Sequence, residues 1–208
     1  MPLNTNGQNA CLSGGLGNTV TYLSLHTGVP DSTGSLEATG GSPAYARKAV
    51  TWAAAASGQR ANSGTITFDV PAGTYYCVGM WDASTVGNFY GYAPINGTVK
   101  GFGEVDSTGV TNDTITSSGH GLTTNDAVIV YNVFAESLPT GLTEGTIYYV
   151  ISTGLTTDVF KVSTSQGGAA VNLTGQGELY FQKIIPEVFA SQGQISIASA
   201  FTLDATAF

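Results

Sequence analysis

The chain has 208 residues, of which only 10% are charged, and a formal net charge of −8. Its six Lys and Arg residues, none of them between Gly101 and Phe160, cannot neutralise a row of phosphates, so nucleic acid is excluded as a partner. The acidic balance also argues against an anionic membrane surface, and no apolar run approaches the length of a membrane span. The first residues lack a basic region followed by an apolar segment, so we expect synthesis in a cytoplasm without export by a secretory signal.

Helical periodicity is almost absent from the first half of the chain. Residues 9–16, which Gly14 and Gly15 interrupt, and the alanine run at 53–56 predict at most a helical turn or a loop. Short strands separated by turn residues are frequent, which is typical of a sandwich or barrel. The strands predicted in this half are residues 20–26, 49–52, 65–70, 75–81 and 88–93.

The middle of the chain repeats this pattern on a smaller scale and is distinctly acidic. Residues 104–182 hold eight acidic residues and one base, a net charge of −7, whereas the rest holds six acids and five bases, a net charge of −1. The strands predicted here are residues 114–116, 127–131, 146–152, 159–163, 171–173 and 179–181. A block of about 80 residues is long enough for a small independent β domain.

The last predicted strands, residues 194–198 and 200–203, have no turn-connected partner inside the acidic block. They most simply pair with strands at the front of the chain. We therefore predict an all-β protein in which residues 1–103 together with 183–208 form a discontinuous β-sandwich or barrel domain for attachment. Residues 104–182 would form a second, small β-barrel or sandwich inserted into it.

No motif spacing indicates catalysis, a metal or a cofactor. His26 and His120 fall in different predicted domains, so we expect structural or surface histidines rather than an acid–base pair. The loop carboxylates, which could in principle form a glycosidase pair or a calcium site, follow neither pattern and are expected to be solvated. Those considered for calcium are Asp106, Asp113 and Asp126. Cys11 and Cys77 lie far apart and are expected to be free, buried or half-buried thiols, although a disulfide stays open.

Clustered bases and aromatic residues indicate a contact surface on the first domain. Most residues of the aromatic cluster between Tyr75 and Tyr92 are expected in the core, and the remainder in an apolar surface patch. The basic residues would suit a negatively charged protein surface. The residues that we predict for this interface are Arg47, Lys48, Arg60, Trp81, Tyr90 and Tyr92.

Several segments resemble a family of tailed-bacteriophage virion proteins, usually called tail fibre or structural proteins. The segments that carry the resemblance are residues 21–28 (TYLSLHTG), 41–48 (GSPAYARK), 62–73 and 78–83 (VGMWDA). The middle block is similar to a small β module of many phage surface proteins. Its segments are residues 119–122 (GHGL), 138–139, 148–150 (YYV) and 167–171 (GGAAV).

The resemblance implies a non-enzymatic structural protein on the surface of a virion made in a bacterial cytoplasm. Within that class, a capsid decoration or head-fibre (minor capsid) protein is slightly favoured over a tail fibre or minor tail protein, because the chain has no heptads or collagen-like repeats. The partners would be other virion proteins, from the capsid or the tail, and further copies of the chain, with a trimer among the alternatives. A carbohydrate-binding module that recognises a host surface glycan is the alternative from another class.

Overall fold

The computed structural model describes residues 5–97, 99–133, 137–199 and 201–204. It divides into two compact units. The first unit comprises Met1–Ala93 and Glu187–Phe208, and the second comprises Pro94–Pro186. Among the described residues, no helix is long and apolar enough to cross a membrane.

The first unit begins with two short helices and continues with strands that build several small sheets. Its elements before the second unit are α1 (Thr5–Gly14), α2 (Leu16–Thr19), β1 (Tyr22–His26), β2 (Lys48–Ala49), β3 (Gln59–Ala61), β4 (Ile66–Val70), β5 (Gly73–Tyr75), β6 (Cys77–Trp81) and β7 (Phe89–Pro94). Strands β2, β1, β6 and β7 lie side by side in one sheet. All five residues of β6 are buried, as are four of the five in β1, so these two central strands carry much of the unit's core.

The second unit is a closed barrel with the strand order β10-β11-β12-β9-β8-β13. Its elements are β8 (Lys100–Val105), α3 (Ser107–Asn112), β9 (Ile115–Thr116), β10 (Ala127–Tyr131), β11 (Ile147–Ile151), β12 (Val159–Ser163) and β13 (Gly177–Ile184). Alternate residues of these strands point inward, and Phe160 and Phe181 meet edge to face in the interior at 5.2 Å. Each strand has a paired neighbour on both sides, although β8 and β9 pair at one position only, Glu104 opposite Thr116.

The end of the chain returns to the first unit as β14 (Glu187–Phe189), β15 (Gly193–Ile197) and β16 (Thr202–Asp204). Each of these strands is antiparallel to a strand from the front of the chain: β14 to β5, β15 to β4 and β16 to β3. The β15–β4 pair spans five residues, with Ile195 opposite Phe68. The first unit is thus assembled from segments that lie on both sides of the barrel in the sequence.

The predicted all-β class, with a barrel among its parts, is confirmed. Strands β10 and β12 have the predicted bounds. Strand β12 alternates apolar and polar residues, and β10 is a short, continuous apolar run. The strand predicted at residues 171–173 is wrong. The backbone of this segment does not form a continuous ladder with one strand, since Val171 N donates to Val162 O and Leu173 N donates to the carboxylate of Asp113.

Strand β8 was not predicted, and it begins inside the range assigned from sequence to the first domain. Its inward positions hold Gly101 and Gly103 where a pattern of buried strands would have apolar side chains. A Cβ on Gly103 would lie 2.6 Å from Ile115 Cγ2, and one on Gly101 would lie 3.0 Å from Phe181 Cζ. Glycine is needed because large side chains from the two neighbouring strands, β9 and β13, already fill the barrel there.

Candidate functional site

Arg47 joins two loops of the first unit through a single guanidinium group. Its Nε and Nη2 donate to both carboxylate oxygens of Glu37 at 2.8–3.1 Å, and its Nη1 donates to the carbonyls of Ala83 and Val86 at 3.1 and 2.7 Å. The same group lies 3.4 Å from the centre of the Trp81 ring. With the Arg47 side chain only 9% exposed, this combination of bidentate pairing and stacking uses nearly the whole donor capacity of the group.

The two loops that Arg47 joins each present a bulky apolar residue in the left-handed backbone region. Leu36 has φ of 59° and is 55% exposed, and Val86 has φ of 56° and is 86% exposed. This region is sterically costly for large residues, above all for a β-branched one. We call these two residues the loop-tip pair. Surrounding contacts hold them in place, since Arg47 binds the carbonyl of Val86 and the carboxylate next to Leu36.

Hydrogen bonds within the loop after β6 fix it further. Asp82 accepts from the backbone N and the side-chain amide of Asn88 at 2.7 Å, and from the hydroxyl of Tyr90 at 3.4 Å. These bonds, those with Asn88 first, hold the pKa of Asp82 below its usual value. The loop is therefore a preformed surface, which lowers the ordering cost of a contact made through it.

A serine, a histidine and a tryptophan form a buried relay beneath the loops. Trp81 Nε1 donates to Ser24 Oγ at 2.9 Å, so the Ser24 hydroxyl donates to His26 Nε2 at 2.7 Å. His26 Nδ1 in turn donates to the carbonyl of Ser35 at 2.8 Å. Burial lowers the pKa of His26, and the neutral ring fits this pattern of donors.

The Ser24–His26 pair has the spacing of a nucleophile and its base, but both side chains are fully buried. No substrate can reach them without unfolding the sheet. The relay therefore orients Trp81 under the Arg47 guanidinium and supports the loop-tip pair. His120 lies in the other unit.

The residues predicted for an interface differ in how far they are exposed. Arg47 and Trp81 are buried, with Trp81 only 5% exposed, so both act inside the unit. Arg60 donates to the carbonyls of Ala53 and Leu12. Lys48, half-buried, pairs with Asp69 at 3.6 Å, and Tyr90 is 38% exposed. Tyr92 is half-buried on β7. An interface through the accessible members stays a prediction.

The carboxylates once considered for calcium each bind a different group of the protein. Asp106 accepts from Gly109 N at the start of α3, Asp113 accepts from Leu173 N, and Asp126 pairs with Lys183 Nζ at 2.8 Å. Within the part of the chain that the structure describes, no group of three or more His, Cys, Asp or Glu residues is arranged to hold a metal ion.

Cys11 and Cys77 are free. Cys77 is buried, and burial raises the pKa of its thiol to about 12. Cys11 is exposed, contrary to expectation.

Sequence reasoning missed Glu37 and the loop-tip pair. Glu37 is one of the few acids in a chain poor in charge and stands ten residues before Arg47, which was a usable signal. Leu36 and Val86 carried none, because bulky residues seldom adopt positive φ and loops around Gly and Ser give no reason to expect it.

Comparison with known proteins points to a phage fibre. Residues 17–118 match the profile of a family described as "Podophage GP4 fiber I protein gp80". The matched range includes Arg47, Glu37 and the loop-tip pair, and extends into the barrel as far as β9. No curated protein matches the chain. The similarity supports a structural protein of a phage fibre or virion, and gives no support to an enzyme.

Proposed function

We propose that the chain is a non-enzymatic structural protein on the exterior of a tailed-phage particle, of the capsid decoration or head-fibre kind. The first unit attaches to the particle, and the barrel is the part displayed. The observation that carries this proposal is the loop-tip pair, because two exposed apolar residues are held in strained conformations by the buried Arg47. Strain that the surrounding structure maintains is typical of a site of contact.

The partner at the loop-tip pair is another virion protein or a further copy of the chain. Apolar tips of this size suit small pockets in a protein surface, and symmetric repetition across a particle multiplies a weak contact. Tyr90, beside the same loop, adds an aromatic ring with a hydroxyl, which is a common composition for contact surfaces.

A tail fibre or minor tail protein is the second candidate. The description of the matching family as a fibre favours it, and the attachment chemistry would be the same. Location on the particle distinguishes the two candidates. Electron microscopy of particles that carry an affinity label on this chain should show the label on the head for the first and on the tail for the second.

Substitution of the loop tips tests the attachment site itself. We expect Val86→Asp together with Leu36→Asp to abolish incorporation of the chain into particles while thermal unfolding of the purified protein stays close to that of the parent. Val188→Asp is the matched control, because Val188 is 69% exposed in the same unit but lies on β14. Normal incorporation of the double variant would show that attachment uses another surface, and label on neither head nor tail would overturn the proposal as a whole.

A further inference from the structure

The barrel wall is incompletely closed between β8 and β9. Strand β8 pairs with β13 over six residues but with β9 at one position, Glu104 opposite Thr116. Lys183 N donates to Val99 O at 2.7 Å, so these two residues form a hydrogen-bonded pair that continues the β8–β13 register. Every second residue along β8 from Val99 therefore turns its peptide groups toward β13. The peptide groups of Lys100 and Phe102 therefore point away from β13, toward the chain that follows β9.

A cavity of about 430 Å³ lies in this seam. Its polar lining consists of Lys100, Ser117, Ser118 and His120, and Phe102 forms an apolar wall. Binding sites for small molecules have volumes of about 300–1,000 Å³, so the cavity is of a size to hold one ligand ring.

His120 brings an unused hydrogen-bond donor to the cavity wall. Leu122 N donates to its Nδ1 at 2.9 Å, so the proton of the neutral ring is on Nε2. The residue is 6% exposed, and its Nε2 is a buried atom with no hydrogen-bond partner among the described residues. An unpaired buried donor is costly to the folded state.

Aromatic side chains continue from the cavity across the outer face of the barrel. Phe102 is 60% exposed and stands directly opposite Tyr180 on β13, which in turn stands opposite Tyr131 on β10. The ring centres of Phe102 and Tyr180 are 5.2 Å apart, and those of Tyr180 and Tyr131 are 6.5 Å apart. We call these three residues the aromatic ladder.

We propose that the seam between β8 and β9 binds a pyranose sugar ring, with the aromatic ladder as a platform for adjoining sugars. A pyranose has an apolar C–H face, which fits Phe102, and an edge of hydroxyl groups. Those hydroxyls match the hydroxyls of Ser117 and Ser118, the Lys100 ammonium group and the two open peptide groups. An added peptide strand fits less well, because a ladder needs several consecutive open positions and the Glu104–Thr116 pair ends this one after two.

Titration of the ¹⁵N-labelled full chain with single sugars tests this proposal, using glucose, galactose, mannose, rhamnose and N-acetylglucosamine as probes. At least one sugar should shift the amide resonances of Phe102, Ser118 and Gly119. Phe102→Ala should weaken that binding by at least about tenfold with an unchanged unfolding temperature, since the side chain is largely exposed. Thr157→Ala is the control, because Thr157 is exposed and lines a neighbouring cavity but not the one between β8 and β9.

Three results would overturn the proposal: no sugar binds, the shifts map elsewhere, or Phe102→Ala binds as well as the parent. A response to a Val–Thr repeat peptide but to no sugar would make the seam a strand-pairing site instead. If Phe102→Ala fails to fold, the mapped shifts of the parent protein and the response of Ser118→Ala decide the question. The readout uses no particles, so its outcome is independent of where the chain sits on a virion.

Discussion

A single buried guanidinium organises the surface that we assign to attachment. Arg47 binds the carboxylate of Glu37 and two loop carbonyls at once, and its removal would leave Glu37 with the long bond from the Tyr45 hydroxyl at 3.4 Å. Leaving one member of a buried ion pair unpaired is strongly destabilising, whereas an exposed ion pair contributes little. Sequence could predict that Arg47 was important, but not that its guanidinium stacks on the Trp81 ring.

Arg47→Ala should lower the free energy of unfolding by about 3 kcal/mol, because it removes the charged partner of Glu37 and the donor to two carbonyls. Chemical denaturation measures this change. Lys48→Ala is the control, since the neighbouring Lys48–Asp69 pair is longer and more exposed, and it should change the stability little. Equal effects of the two substitutions would contradict the role assigned to Arg47.

Burial of His26 makes the stability of the first unit depend on pH. Desolvation lowers its pKa from the ordinary value of 6.5, and Arg47 acts in the same direction, while the Ser35 carbonyl and Glu37 oppose the shift. The unfolded chain therefore takes up a proton near pH 6.5 that the folded chain binds only at lower pH. Stability should be full above pH 6.5 and fall at lower pH by up to about 1.4 kcal/mol per pH unit, until the folded pKa is passed.

Denaturation at a series of pH values, with His26→Gln as the comparison, measures this contribution. The variant should lose the decline that begins at pH 6.5. Hydrogen bonds from Thr33 and Ser35 lower the pKa of Asp31 to about 2. Its protonation affects stability only at lower pH, and equally in the parent and in His26→Gln. An NMR titration in which the His26 ring gains its proton at or above pH 6.5 would contradict the account.

At the scale of elements, strands with a clear apolar pattern were predictable and a strand built around glycine was not. Strand β12 alternates apolar and polar residues and β10 is a continuous apolar run, whereas β8 places Gly101 and Gly103 at its inward positions. The barrel interior explains those glycines only when the side chains that face them are known. The proposed sugar site depends on the same strand, and the carbohydrate-binding alternative from sequence stays a prediction.

Gly79 on β6 shows how one glycine allows two elements to pack. It pairs with Ser24 on β1, and a Cβ there would lie 2.4 Å from both Ser24 Oγ and His26 Nε2. Gly79→Ala should destabilise the protein by about 1–3 kcal/mol, because the buried relay must shift to admit the methyl group. Thermal unfolding followed by Trp fluorescence measures the loss.

Gly64→Ala is the control for that substitution, since a Cβ at Gly64 meets nothing within 4 Å. We expect it to leave the unfolding temperature nearly unchanged. If Gly79→Ala were equally harmless, the relay would have more room than its hydrogen bonds indicate.

At the scale of the whole molecule, charge and pattern together indicated an inserted block, and the structure places two compact units along the same chain. The three final strands pair with strands at the front, which local sequence can suggest only by the absence of nearer partners. The two ends of the second unit lie close together, since Lys183 N donates to Val99 O at 2.7 Å. An insertion with adjacent ends can be removed with little strain on the host unit.

Calorimetric unfolding of two truncated chains tests this organisation most directly. One chain joins residues 1–93 to 187–208 through a short Gly-Ser linker, and the other ends at residue 93. The joined chain should show one cooperative transition with the near-UV signal of Trp81 retained, while the shorter chain should show none, because β3, β4 and β5 lack their partners. A cooperative transition of residues 1–93 alone, or its absence in the joined chain, would contradict the account.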